Sequence, residues 1–226
     1  MAHRTVFQGK EFNIRRMRGD TLEDKQRQLE EIAAQISSCQ RCPLWRTRKN
    51  PVPGEGPASW VVFIGEAPGA REDELGRPFV GSAGKFLDEL LSVAGLERGQ
   101  VFITNVVKCR PPSNRVPRSA ELSACYPFLQ RQLSAISPRL VCTLGGVALR
   151  SVLGLSGINR YRGRPQMRGS TVYFPTLHPA ASLYDRKLRE ILVADFERLG
   201  ELVQAGPDGL ASKMASLNGL LTLDSF

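Results

Sequence analysis

The stretch GEAPGAREDELGRPFVGSAGKFLDELL, residues 65–91, decides the fold. It follows the apolar run WVVFIG at residues 60–65, which has the length and β-branched content of a buried strand. It runs into a helical pattern that puts Phe86, Leu87, Leu90 and Leu91 on one face. A long loop is therefore expected at a strand's carboxyl end, where open α/β sheets hold their ligands. Gly65, Gly69, Gly76, Gly81 and Gly84 let backbone approach a ligand closely or take positive φ. The absence of a G-x-G-x-x-G or G-K-[ST] pattern argues against a dinucleotide or nucleoside-triphosphate cradle.

Outward from this loop the chain alternates strands and helices. On the amino side, Thr21 with Asp24 has the pattern of a capping box, and Leu22, Leu29, Ile32, Ala33 and Ile36 keep one helical face up to Ser38. On the carboxyl side, Val101 to Thr104 reads as a second buried strand ending at Asn105, and PPSN with Pro117 forbids regular structure after it. Ser119 is placed to cap a helix through Leu133. Leu140 to Leu144 is a third strand, and Gly145-Gly146 opens a short helix to Leu153. Val172 to Phe174 gives a fourth strand, and a last helix spans roughly Arg186 to Val203. The expected fold is α/β, a three-layer α/β/α sandwich around a short, mainly parallel four-stranded sheet. Residues 21–204 form the domain, residues 1–20 a basic mobile arm, and residues 205–226 a flexible tail.

The chain has 226 residues, of which 42% are hydrophobic and 23% charged, enough for one substantial core. No apolar run has membrane-spanning length and the amino terminus lacks a signal-peptide core, so a cytoplasmic protein with no membrane partner is expected. The net charge of +9 favours an anionic partner, nucleic acid before membrane. Arg160, Arg162, Arg164 and Arg168 load one loop with positive charge, either a solvated face or a phosphate-facing one. Arg110 and Arg186 are further candidates for phosphate contact.

Cys39 and Cys42 form a C-x-x-C pair, with Cys109 and Cys125 far downstream and Cys142 left over inside an apolar run. Four cysteines outside the core strands suit a metal or iron–sulfur site, while disulfides do not suit an intracellular protein. A thioredoxin-like pair would need a strand before and a helix after, which Pro43 and the basic stretch following it do not supply. Zinc on the same four thiolates stays open at this level, although the widely split spacing leans towards a cluster that pins distant segments together. His3 and His178 are the only histidines, which excludes a histidine-rich metal site.

GEAPGAREDELGRPFVGSAG at 65–84, TNVVKCRPPSNRVP at 104–117, LHPAASL at 177–183 and the four cysteines resemble the family 4 uracil-DNA glycosylases, the iron–sulfur branch of that superfamily. The resemblance covers about residues 29–199. It implies a structural [4Fe–4S] cluster on Cys39, Cys42, Cys109 and Cys125, and removal of uracil, the product of cytosine deamination, from single- or double-stranded DNA. It further implies that Phe79 stacks on the flipped base, Asn105 reads its polar edge and His178 faces O2. Glu66, with the backbone from Gly65 through Ala67 to Gly69, would frame the pocket and place water. Ala67 stands where the best-known branch has an aspartate, so the water-activating role falls to Glu66, with Glu72 and Asp73 further into the loop. No lysine stands in a site motif as an imine-forming nucleophile, so a monofunctional enzyme is expected. Singly, Phe79 reads equally well as core, Asn105 as a turn cap and His178 as a loop residue; in matching order around matched cysteines they read as a site.

Two other functions fit the same residues: a non-catalytic iron–sulfur DNA-binding module, and a glycosylase of wider taste that accepts hypoxanthine. A monomer is expected. The final LTLDSF puts Leu223 three positions before Phe226, the spacing of peptides that dock in a sliding-clamp groove, although Leu220 replaces the usual glutamine. An end whose leucines pack on the domain is the competing reading, and loss of clamp co-elution on deleting residues 222–226 would separate the two.

Overall fold

The computed structural model describes residues 21–183 and 185–223. The expected N-terminal arm lies outside the described residues, as do residues 224–226 of the clamp-docking tail. Helix α1 (Leu22–Ser37) is closed by the expected box: Thr21 Oγ1 accepts from the Asp24 amide at 3.1 Å, and Asp24 Oδ2 accepts from the Thr21 amide at 3.2 Å. Its buried stripe is Leu29, Ile32 and Ile36. The chain then forms a 3₁₀ turn (Pro43–Arg46), strand β1 (Val61–Gly65), helices α2 (Ala70–Leu75) and α3 (Ser82–Val93), and strand β2 (Phe102–Asn105). Helix α4 (Ser119–Ile136), strand β3 (Leu140–Leu144), helices α5 (Gly146–Leu153) and α6 (Ile158–Tyr161) and strands β4 (Gln166–Arg168) and β5 (Thr171–Thr176) follow. Helices α7 (Arg186–Gln204) and α8 (Gly206–Leu223) end the described chain.

The sheet has the order β2-β1-β3-β5-β4. Its first four strands are parallel and β4 is antiparallel to β5. The sheet therefore has one strand more than the four expected from sequence. Gln166, Met167 and Arg168 carry no buried alternation, and an edge strand of three partly or fully exposed residues leaves no hydrophobic signature. Along β1, Val61 and Phe63 enter one core with α3 and α7, while Val62 and Ile64 enter another with α1 and α4. Phe63 stacks on Phe196 of α7 with ring centroids 6.0 Å apart. That alternation makes the three layers, because successive side chains of a strand point to opposite faces.

Two local expectations are corrected. Ser119 is the first residue inside α4 rather than its cap. The helix end is held by Glu121, which accepts from the Arg118 amide at 2.7 Å and pairs with Arg115 at 2.6 and 2.8 Å. The chain beyond Ala205, read as loosely attached, is helical, and Leu210 and Met214 of α8 are buried in the α3 and α7 core. Gly206, Pro207 and Gly209 favour a loose tail; the apolar pair four residues apart supplies the burial that holds a helix whose own composition is poor.

Candidate active site and cysteine centre

The register of the sheet sets the site. Gly65 and Asn105 are paired neighbours at the carboxyl ends of β1 and β2, so the loop after β1 and the side chain at the end of β2 face the same space. A Cβ on Gly65 would collide with Asn105 Oδ1 and come within 2.6 Å of Phe79 Cζ, which is why only glycine fits there. The Phe79 ring in turn stacks against His178, with centroids 5.5 Å apart and planes 25° from parallel. His178 lies two residues past the end of β5, which pairs with β3. Phe79, Asn105, His178 and Gly65 are thus brought together from three strand ends and a loop.

Each group has a defined electrostatic state. Asn105 is 2% exposed, and its Oδ1 has no hydrogen-bond partner among the described residues. An orphaned buried acceptor costs roughly 1–3 kcal/mol, a cost that a ligand donor removes. The Ala180 amide donates to His178 Nδ1 at 3.1 Å, so the neutral ring carries its proton on Nε2. Burial pushes the imidazole down to about 4, against the opposing pull of Glu72, so it is neutral at physiological pH. Glu66 is half-buried, and burial raises its carboxyl above the ordinary glutamate range.

The neighbouring acids have other tasks. Asp73 is 2% exposed; its Oδ1 accepts from the Lys49 amide at 3.0 Å and its carbonyl accepts from the Asn50 amide at 3.1 Å. It therefore stitches the site loop to the basic stretch after the cysteine pair. Glu72 Oε1 accepts from the amides of Val80 and Gly81, both at 2.8 Å, and so holds the turn after Phe79. Ala67 is half-buried against the α1 and α4 core, and Gly69 is the N-cap of α2. Of the acids in the loop, Glu66 is the one whose carboxyl has no structural bond among the described residues.

Lys108, three residues after Asn105, is a member of the site that the sequence does not mark. It is 1% exposed, and its Nζ donates to Thr104 Oγ1 at 2.6 Å, the Asn105 carbonyl at 2.7 Å and Gln132 Oε1 at 2.6 Å. Three acceptors match the three donors of an ammonium group, although burial pulls its pKa down to about 7. It fixes the backbone of Asn105 to α4, and all three of its donors are engaged. Nothing in a hydrophobicity pattern marks a lysine for burial, and only its place inside the motif around Asn105 could have pointed to it.

Cys39, Cys42, Cys109 and Cys125 line one small pocket, partly open to solvent, with Ile36, Trp45 and Phe128 among its walls. They arrive from the end of α1, the turn after it, the segment after β2, and α4. Arg48 Nη1 donates to Cys109 Sγ at 3.0 Å, and the Lys108 amide donates to Cys125 Sγ at 3.2 Å. Such N–H donors stabilise metal-bound thiolates. Burial raises the thiols of Cys42, Cys109 and Cys125, the last to about 11, so positive charge in the cavity is what would favour the thiolates. Among the described residues no three His, Cys, Asp or Glu side chains are arranged to hold a single ion. Cys142 lies apart, fully buried in β3.

The basic candidates separate. Arg162 pairs at 3.3 Å with Asp195, which is 1% exposed and also accepts from Thr176 Oγ1 at 2.7 Å. Arg110 Nε donates to Asn114 Oδ1 at 2.8 Å, and Arg186 meets Glu190 at 3.2 Å on the surface. Arg164 is exposed. Arg162→Ala is therefore expected to lower stability by roughly 1.5–3 kcal/mol, the range for a hydrogen bond to a charged group. Urea unfolding reads the effect, and an Arg162→Ala variant as stable as the wild type would overturn it.

The profile of the family described as Uracil DNA glycosylase superfamily matches residues 53–199. The chain is 47% identical over 185 residues to a type-4 uracil-DNA glycosylase of Sulfurisphaera tokodaii, covering 77% of this chain and 84% of the relative. It is 44% identical over 190 residues to that of Saccharolobus solfataricus, covering 79% and 88%. To that of Thermotoga maritima it is 41% identical over 182 residues, covering 78% and 95%. Among the described residues no helix is long and apolar enough to cross a membrane.

Proposed function

The chain belongs to the uracil-DNA glycosylase superfamily, in its type-4 branch, and from that premise we propose that it extrudes uracil from DNA and hydrolyses its N-glycosidic bond. It is a DNA repair hydrolase acting on N-glycosyl bonds. The observation that carries the mechanism is the orphaned Oδ1 of Asn105 beside the Phe79 ring and the protonated Nε2 of His178. Uracil offers an N3–H donor and two carbonyl acceptors, so the lone acceptor of Asn105 suits N3–H and its amide N–H suits O4. Cytosine has no proton on N3 and an amino group at C4, which reverses both requirements.

A base inside a duplex is out of reach, so it must be extruded at a cost on the order of a few kcal/mol. Stacking on Phe79 and the edge bonds of Asn105 offset that cost. Cleavage leaves positive character on the sugar and negative charge on the departing base. A neutral imidazole donates through Nε2 to the developing anion without having to lose a proton, and each such donor typically contributes about 3 kcal/mol. Glu66, as a carboxylate, orients the attacking water and balances the charge on the sugar.

Cys39, Cys42, Cys109 and Cys125 would hold a [4Fe–4S] cluster, which the N–H donors to sulfur and the apolar walls suit. The widely split spacing of the four cysteines along the chain is what favours a cluster over one zinc ion. The cluster's part is to tie the segment before β1 to the segment after Asn105. As a repair enzyme the protein works with the genome in the cytoplasm, as a monomer.

The direct test is incubation with a uracil-containing oligonucleotide followed by alkali, which should cut the strand at the abasic site. An uncut strand would leave a non-catalytic DNA-binding module as the surviving reading. The pH dependence follows from the two titrating groups. Glu66 must be ionised and its pKa is raised, so the rate should fall with decreasing pH through a limb lying above the usual glutamate value of about 4.3. His178 is neutral over the upper part of that limb, since burial pushes its own pKa down to about 4. Glu66→Gln should lower the plateau rate by about a hundredfold and flatten the limb. A limb that survives in Glu66→Gln would give the titration to another group.

A further inference from the structure

Phe79 takes a backbone conformation that its sequence does not favour. Its φ is +50°, in the left-handed region, which costs a residue with a Cβ roughly 1–2 kcal/mol. Such a conformation persists only where the surroundings hold it. Arg98 supplies that hold from outside every motif. It begins the 3₁₀ turn Arg98–Gln100 between α3 and β2, and its guanidinium donates to the carbonyls of both Phe79, at 3.1 Å, and Pro78. The guanidinium is itself fixed by Asp88 at 3.0 Å and lies 3.5 Å from Glu55, which Arg77 holds with two bonds of 2.8 Å.

On the other side of the turn, Glu72 takes the next two amides, those of Val80 and Gly81. The carbonyls of Pro78 and Phe79 thereby meet a cation, and the amides of Val80 and Gly81 an anion. The first turn of α3 closes the gap, since a Cβ on Gly84 would collide with the carbonyl of Phe79. Freed from these bonds, the turn would relax towards negative φ and rotate the ring away from Asn105 and His178.

We propose that Arg98 is a positioning residue for base excision, holding Phe79 in its left-handed turn so that the ring is ready to stack on the extruded base. The inference rests on the reading that Phe79 stacks on the substrate. Arg98 touches no reacting atom and acts only through Phe79. A planar, forked guanidinium reaches two successive carbonyls and a carboxylate at once, and a lysine cannot.

A double-mutant cycle tests this. Single-turnover excision of uracil from duplex DNA is measured for the wild-type protein, Arg98→Met, Arg98→Lys, Phe79→Ala and the combined variants, with thermal unfolding of each recorded beside it. Arg98→Met should slow excision by roughly 10- to 100-fold, as for a displaced catalytic group. Arg98→Lys should be intermediate. In the Phe79→Ala background both changes should slow excision by less than about twofold, because there is no ring left to position. A loss of the same factor in both backgrounds, or no loss in the presence of Phe79, overturns the role of Arg98 while leaving stacking intact. Undiminished excision by Phe79→Ala overturns the stacking reading and the inference with it. If Arg98→Met does not fold, the Arg98→Lys cycle is read by the same criteria.

Discussion

Asn105→Ala is expected to slow single-turnover excision of uracil by about a hundred- to a thousandfold, the usual cost of removing one preorganised partner of the transition state. Affinity for uracil-containing duplex should change by only about a few-fold, because affinity for DNA comes mainly from phosphate contacts and Asn105 is buried at 2% exposure. The separation is possible because the two ends of Asn105 do different things. Its carbonyl is tied to Lys108 and survives the substitution, whereas its Oδ1 is buried, unpaired and beside Phe79. Removing a side chain that already lacks a partner orphans no acceptor, so folding should be nearly unaffected. Parallel losses of rate and affinity, or a large fall in melting temperature, would give Asn105 a structural role instead.

Cys109→Ser should cost the protein its colour and much of its stability. The purified wild-type protein is expected to be brown, with broad absorption near about 400 nm from a cysteine-ligated iron–sulfur centre. The four cysteines come from the end of α1, the turn after it, the segment after β2, and α4, so a cluster on them closes several long loops at once. Losing a cluster ligand belongs to the class of changes that exceed about 4 kcal/mol, equivalent to roughly 10 °C or more in a domain of this size. Cys142→Ser is the control. It should keep the absorption in full, because Cys142 sits in β3 among core side chains, away from the cavity. A colourless wild-type protein of full activity that contains zinc would replace the cluster by a single ion.

The parallel core of the fold is legible in the sequence alone. β1, β2, β3 and β5 are short apolar runs bounded by glycine, proline and polar residues, and burial on both faces demands that pattern. The sequence also marked the strand ends at Gly65, Asn105 and His178, since an open parallel sheet leaves its crevice there. It could not mark β4, whose edge position asks for no hydrophobic residue, nor the helix beyond Ala205, whose stability comes from two side chains buried against α3 and α7. Arg162 reads in sequence as one more basic residue in a charged loop, and only the fold brings Asp195 beneath it. Lys108 and Arg98 were silent for the same reason: a lysine or arginine is spelled identically whether it faces water or a carbonyl. Local sequence fixes backbone preference and hydrophobic period, which are properties of neighbours along the chain. The partner of a charge is chosen across the chain, by strand register and helix packing, and only the tertiary structure decides it.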